Sequence, residues 1–265
     1  MCRLLGLYAN KPVDIYFSFY ETPVKSFEKQ SQDNPDGWGV AWLTSQGWNI
    51  FKEPLALYES PRARRIIKKI VRGKIIVSHV RLPSYGGPKL ENTHPWLYKG
   101  WVFAHNGTIN KHRLLKLLEE DYKKDLEGNT DSERFFHLIV QEADKTGDPV
   151  EGIKSAVNKI IENNIFFTSL NFIASDGEKL YALRYARINQ NYYTLYYLKR
   201  PHKELELRKL SNETRQLISM KLASGEKAVI IASETMSDEP HWKQIPNKHL
   251  LTINKNLTTK LTPSN

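Results

Sequence analysis

The chain has 265 residues, 40% hydrophobic and 11% aromatic, enough to bury a substantial core in one large domain or two small ones. No apolar run approaches a bilayer span, the first residues lack the basic and then apolar pattern of a secretion signal, and a single cysteine excludes an internal disulfide. A cytoplasmic location without membrane partners is therefore expected. The formal net charge of +10 suits an anionic partner, but the basic residues are spread out, and zinc-ligand spacing, a glycine-rich phosphate loop and a recognition-helix pattern are absent.

The chain opens on Met1-Cys2, followed by the apolar run Leu4-Leu5-Gly6-Leu7-Tyr8. Residues 3–8 read as a strand that would hold the terminus in a sheet. Removal of Met1 would leave a thiol and a free α-amine on one residue. The thiolate is the attacking species, and an amine with a pKa near ~8 accepts a proton at neutral pH. The plainer alternative for Cys2 is a small buried hydrophobe.

Residues 12–30 read as a helix in two pieces, interrupted by Pro23. The turn-rich loop Asp33-Asn34-Pro35-Asp36-Gly37-Trp38-Gly39 leads into a hairpin of residues 40–43 and 48–52. A helix over residues 60–72, with Ser60 as N-cap and Pro61 at its first position, presents Arg62, Arg64, Arg65, Lys68 and Lys69 as a solvated face. Ile75-Ile76-Val77-Ser78-His79-Val80-Arg81 is a short buried strand. A loop over residues 82–99 follows, then the strand Trp101-Val102-Phe103-Ala104, ending in His105-Asn106-Gly107-Thr108. Helices are expected at 111–120, from Thr130 to residue 144, at 149–164 and at 213–223 in the charged stretch 200–226. Strands are expected at 169–174, 179–186, 192–199, 228–232 and 250–253. Strands, helices and strands again predict a single α+β domain with sheets packed face to face and helices outside.

Three further sites stand at strand ends or helix starts. Asn106-Gly107 reads either as a type I′ hairpin turn or as an oxyanion hole built from the Asn106 amide and the Gly107 N–H. Arg81, closing an apolar strand, needs an anion, whether Asp36, Glu91 or a ligand. Asp131 follows Thr130, with Glu133 placed as reciprocal partner in a capping box. It is either a first-turn acid favoured by the helix dipole or a carboxylate for a substrate ammonium. Arg81 and Asp131 together would clamp a free α-amino acid.

In this order, Met1-Cys2, Ser78-His79-Val80-Arg81, Ala104-His105-Asn106-Gly107-Thr108-Ile109 and Asn129-Thr130-Asp131-Ser132-Glu133 resemble the class II glutamine amidotransferases, which are N-terminal nucleophile hydrolases. Pro35-Asp36-Gly37-Trp38-Gly39-Val40, Asn92-Thr93-His94-Pro95-Trp96 and Ala232-Ser233-Glu234 look like the stand-alone branch, with the enzyme of ergothioneine biosynthesis and the Dug3-type proteins. The resemblance covers residues 2–255, leaving 256–265 as a C-terminal tail, and implies a four-layer αββα sandwich. It further implies Cys2 as nucleophile, Asn106 and Gly107 as oxyanion hole, Arg81 helped by Ser84 for the α-carboxylate of glutamine, and Asp131 for its α-amine. His79, His94 and His105 are read as structural, because the α-amine already serves as base. No metal or organic cofactor is required. The implied reaction is hydrolysis of glutamine or a γ-glutamyl compound through a thioester on Cys2. With the sequence ending at Asn265, the ammonia either passes to a separate synthase partner or is released by a hydrolase acting alone. The rival of another class is a non-catalytic, basic nucleic-acid-binding protein on the same fold.

Overall fold

The computed structural model describes residues 2–201 and 208–265; Met1 and part of the charged stretch 200–226 lie outside the described residues. Two antiparallel sheets form the framework. The first comprises β1 (Arg3–Val13), β2 (Trp38–Thr44), β3 (Gly47–Glu53), β4 (Gly73–Val80), β9 (Tyr196–Arg200), β10 (Ala228–Ala232) and β11 (Lys243–Gln244), in the order β11-β9-β10-β1-β4-β2-β3. The second comprises β5 (Trp96–Tyr98), β6 (Trp101–Asn106), β7 (Asn171–Ser175), β8 (Leu180–Arg184), β12 (His249–Ile253) and β13 (Thr259–Pro263), in the order β13-β12-β8-β7-β6-β5.

The central strands, β4, β6, β7, β8 and β10 among them, read as nearly continuous apolar runs because both their faces are covered. In β1 the period of two sends Leu4 and Tyr8 into the core between the sheets, with Val77, Ala104 and Ile173. Leu5, Leu7 and Ala9 point the other way, toward α1 (Phe27–Gln32) and α2 (Ala63–Lys69). On the outer face of the second sheet, Phe103 and Phe172 pack against α5 (Asp131–Thr146) and α6 (Pro149–Glu162), with α3 (Lys111–Leu115) and α4 (Glu120–Lys123) beside them. The layers thus follow the αββα order. A Cβ on Gly6 would lie 3.0 Å from Ile173, so the two sheets approach closely where β1 crosses β7.

Several elements depart from the sequence reading. β1 continues to Val13 because the side chain of Asn10 bonds the Gly225 carbonyl at 3.0 Å and the Lys227 N–H at 2.9 Å, so a polar stretch stays extended. Helical structure is then confined to a short turn at Phe17–Glu21 and to α1, on either side of Pro23. The helix expected at 111–120 is split into α3 and α4. The segment expected as a tail contributes β13, which pairs with β12. The basic side of α2 is exposed, as expected, and Ser60 Oγ accepts the Ala63 N–H at 3.0 Å.

Under the end of β4, His79 stacks on His94 at 3.9 Å and His94 meets Trp96 edge-on at 4.0 Å. His79 Nδ1 and both ring nitrogens of His94 are buried without a hydrogen-bond partner. Burial, with neighbouring positive charge, holds both imidazoles well below their ordinary value, and burial pushes His105 down to about 4. All three are therefore neutral packing groups at neutral pH.

Two predictions follow from this packing. A Cβ on Gly152 would stand 2.4 Å from the Ala143 Cα, so Gly152→Ala must push α5 and α6 apart. A loss of about 2 kcal/mol, read as a drop of several degrees in the melting temperature, is expected. Because the folded imidazoles have pKa values below the unfolded value, their contribution is complete above pH ~6.5 and is lost as pH falls below it, for His105 down to about 4. His105 alone accounts for on the order of 3 kcal/mol. Thermal unfolding followed between these limits should show falling stability with uptake of more than one proton; a flat profile contradicts the buried, neutral assignment.

Candidate active site

Arg3 is paired with Val80, which places Cys2 at the edge of the core beside Arg81 and Leu82. The Cys2 thiol donates to the Leu82 carbonyl at 3.3 Å and accepts the Leu82 N–H at the same distance. Burial pushes the thiol pKa up; the Leu82 bond and the Arg81 charge oppose the rise, while Asp131 adds to it. On the other flank the Leu4 N–H meets Ser233 Oγ at 2.9 Å, and Arg3 Nε meets Glu234 at 2.7 Å. The Ser233-Glu234 pair after β10 thus ties down the strand that begins next to Cys2.

Arg81 is 2% exposed, and no ion pair with Asp36 or Glu91 holds it. Its terminal nitrogens donate to the carbonyls of Tyr85, Gly86 and Gly87 at 2.9 to 3.0 Å, with the Asp36 carbonyl at 3.5 Å. The guanidinium therefore folds the 82–88 loop around itself while its charge still acts on Cys2. The Arg81 backbone N–H donates to the Gly37 carbonyl at 2.8 Å, and the Asp36 N–H donates to the Arg81 carbonyl at 3.0 Å. The turn-rich loop before β2 is thereby stitched to the same strand end.

Asn106 is 2% exposed, ends β6 and lies opposite Asn171 of β7. The hairpin alternative fails here, since β6 pairs with β5 and β7 and the chain after Gly107 runs on to an Ile109–Phe167 bridge and α3. Glycine at 107 serves close approach instead: a Cβ there would sit 1.9 Å from the Ser169 carbonyl oxygen. Ser84 Oγ and Thr108 Oγ1 are 2.5 Å apart, joining the 82–88 loop to this turn.

Thr130 caps α5 by accepting the Glu133 N–H at 3.2 Å. Glu133 does not reciprocate as a capping box would; its carboxylate takes the N–H groups of Glu127 and Gly128 at 2.7 and 2.9 Å. Asp131, 3% exposed, accepts the Ile109 N–H at 2.6 Å, so the helix start and the 106–109 turn are bonded directly. Burial raises its pKa to about 6 against these backbone donors. His105, behind the turn, lies 2.9 Å from Ser132 Oγ and 3.2 Å from the Ser169 carbonyl, and its own carbonyl is 3.1 Å from His79 Nε2.

Cys2, Arg81, Ser84, Asn106, Gly107 and Asp131 are thus brought to one end of the sandwich. Sequence reasoning passed over Leu82, whose backbone amide and carbonyl both bond the Cys2 thiol and whose local sequence carries no motif. Among the described residues no group of three or more metal-ligating side chains forms a metal site, and no helix is long and apolar enough to cross a membrane.

The chain is similar to YafJ of Escherichia coli, with 28% identity covering 92% of this chain and 94% of that protein. It is also similar to DUG3 of Saccharomyces cerevisiae, with 24% identity covering 96% and 82%. A solved glutamine aminotransferase class-II domain protein from Silicibacter pomeroyi shares the fold, with a TM-score of 0.64 and 20% identity over 99% of both chains. The model of the class-II glutamine amidotransferases matches residues 1–264, and the chain belongs to that family.

Proposed function

We propose that this chain hydrolyses the γ-amide bond of glutamine or of a γ-glutamyl compound through a thioester on Cys2, after removal of Met1. The observation that supports this most is convergence: the Cys2 thiol, the turn after β6, the Arg81 guanidinium and the Asp131 carboxylate come from four segments and lie together at one end of the sandwich.

The α-amine of Cys2, acting through a water, takes the thiol proton as sulfur attacks the side-chain carbonyl. Coupling the two steps avoids a free thiolate, which burial disfavours. The oxyanion accepts from the Asn106 amide and the Gly107 N–H, donors fixed before the charge develops. Collapse of the tetrahedral intermediate breaks the C–N bond and passes the proton to the departing ammonia or amine. Water, deprotonated by the same α-amine, then cleaves the thioester to glutamate and regenerates the thiol. Arg81 attracts the α-carboxylate, with Ser84 beside it, exchanging a loop carbonyl for a charge-assisted partner. Asp131 faces the α-ammonium. Whether ammonia continues to a synthase partner is decided by comparing turnover of glutamine with that of a γ-glutamyl peptide; a clear preference for the peptide favours a hydrolase acting alone.

Cys2→Ala should abolish turnover, and Asn106→Ala should lower kcat by about 100-fold or more with KM nearly unchanged, the cost of one oxyanion donor. Steady-state kinetics in which Cys2→Ala retains activity would falsify the nucleophile assignment. The pH profile is a second test. Asp131 must be ionised to hold an ammonium, so log kcat/KM should rise with slope one between pH ~6 and ~8 from the Cys2 amine and with slope two below ~6. In Asp131→Asn the steeper limb should vanish and kcat/KM should fall. Persistence of slope two in that variant would assign the lower limb to another group.

A further inference from the structure

The hydrolysis leaves one half-buried arrangement unused. Thr168 lies between Phe167, whose backbone bridges Ile109, and Ser169, whose carbonyl makes glycine obligatory at 107. Its hydroxyl oxygen accepts two hydrogen bonds, from the Thr108 N–H at 3.0 Å and from the Tyr193 O–H at 2.8 Å. Its own N–H returns to the Thr108 carbonyl at 2.9 Å, so residues 108 and 168 are tied in both directions. Tyr193 is itself fixed: it is 7% exposed, and its carbonyl accepts from Asn171 Nδ2 at 3.2 Å and Arg184 Nε at 3.1 Å. Asn171 is the cross-strand partner of Asn106.

Gly107 has no Cβ to restrict its dihedrals and is the softest joint of the turn. Fixing the peptide plane that follows it removes that freedom, and with it the freedom of the Gly107 N–H to swing away from a developing oxyanion. We propose that Thr168 and Tyr193 are positioning residues for the amide hydrolysis, their shared hydroxyl bond holding the 106–108 turn in its donating orientation. This rests on the functional reading above. Burial raises the phenol's pKa above its ordinary value, so it stays protonated.

The test compares wild type with Thr168→Val, Thr168→Ser and Tyr193→Phe. Thr168→Val keeps the shape and removes the acceptor. It should lower kcat about 10- to 100-fold with KM within about threefold, while Thr168→Ser stays within about threefold of wild type and Tyr193→Phe loses about three- to tenfold. Iodoacetamide should alkylate Cys2 at the wild-type rate in every variant, and amide hydrogen exchange in the 104–110 segment should quicken in Thr168→Val and, to a smaller extent, in Tyr193→Phe, but not in Thr168→Ser. Wild-type kcat in Thr168→Val, a parallel loss of alkylation rate, unchanged exchange at 104–110, or failure of Thr168→Ser to restore turnover would each overturn the positioning role. Absence of Cys2-dependent turnover in the wild-type enzyme would overturn the functional reading and this role together, a result distinct from all of those.

Discussion

Docking of the N-terminal strand in the middle of a sheet is the constraint on which the site depends. β1 pairs with β4 on one side and β10 on the other, so a segment that would ordinarily fray is held by two ladders. The register with β4 sets Cys2 against Leu82 and beside Arg81. The link to β10 adds Ser233 and Glu234 on the other flank. A one-residue slip would turn Leu5 and Leu7 into the intersheet core and move Cys2 away from Leu82. Hydrophobic alternation along β1 thus positions the thiol as well as building the core.

The second sheet delivers its part through a turn with almost no slack. Gly107 passes so near the Ser169 carbonyl that no side chain fits, Asp131 holds the Ile109 N–H, and Ser84 meets Thr108. His79 and His105 fill the space behind, bonded to backbone and hydroxyl groups and kept neutral by burial. Polar groups at this depth are tolerated because most have partners, and such satisfied networks hold one geometry. Preorganisation of this kind is what the proposed oxyanion role requires, since donors that reorient during the reaction would cost part of the stabilisation they provide.

Much of this was legible in the sequence where the signal is local. The strand after Cys2, Arg81 closing an apolar run, Asn106-Gly107 at a strand end and the Thr130 cap all follow from adjacent residues. What escaped depends on partners distant in sequence. Asn10 and Lys11 continue a strand because residues 225–227 bond to Asn10. Glu133 leaves the capping box because the Glu127 and Gly128 amides lie within its reach. Arg81 finds its acceptors in backbone carbonyls, which no residue pattern advertises. Thr168 meets Thr108, and Tyr193 meets Thr168, only because the fold brings three distant segments together. Asn106-Gly107 has the composition of a hairpin, and only the neighbouring strands decide that it is not one.

The most direct measurement is the intact mass of the purified protein before and after incubation with diazo-oxo-norleucine, a glutamine-like electrophile, followed by peptide mapping. The nucleophile assignment predicts a chain lacking Met1 and a single adduct on Cys2, with labelling strongly slowed in Arg81→Ala and Asp131→Ala. A retained Met1 together with an unmodified Cys2, or an adduct on any other residue, would contradict it.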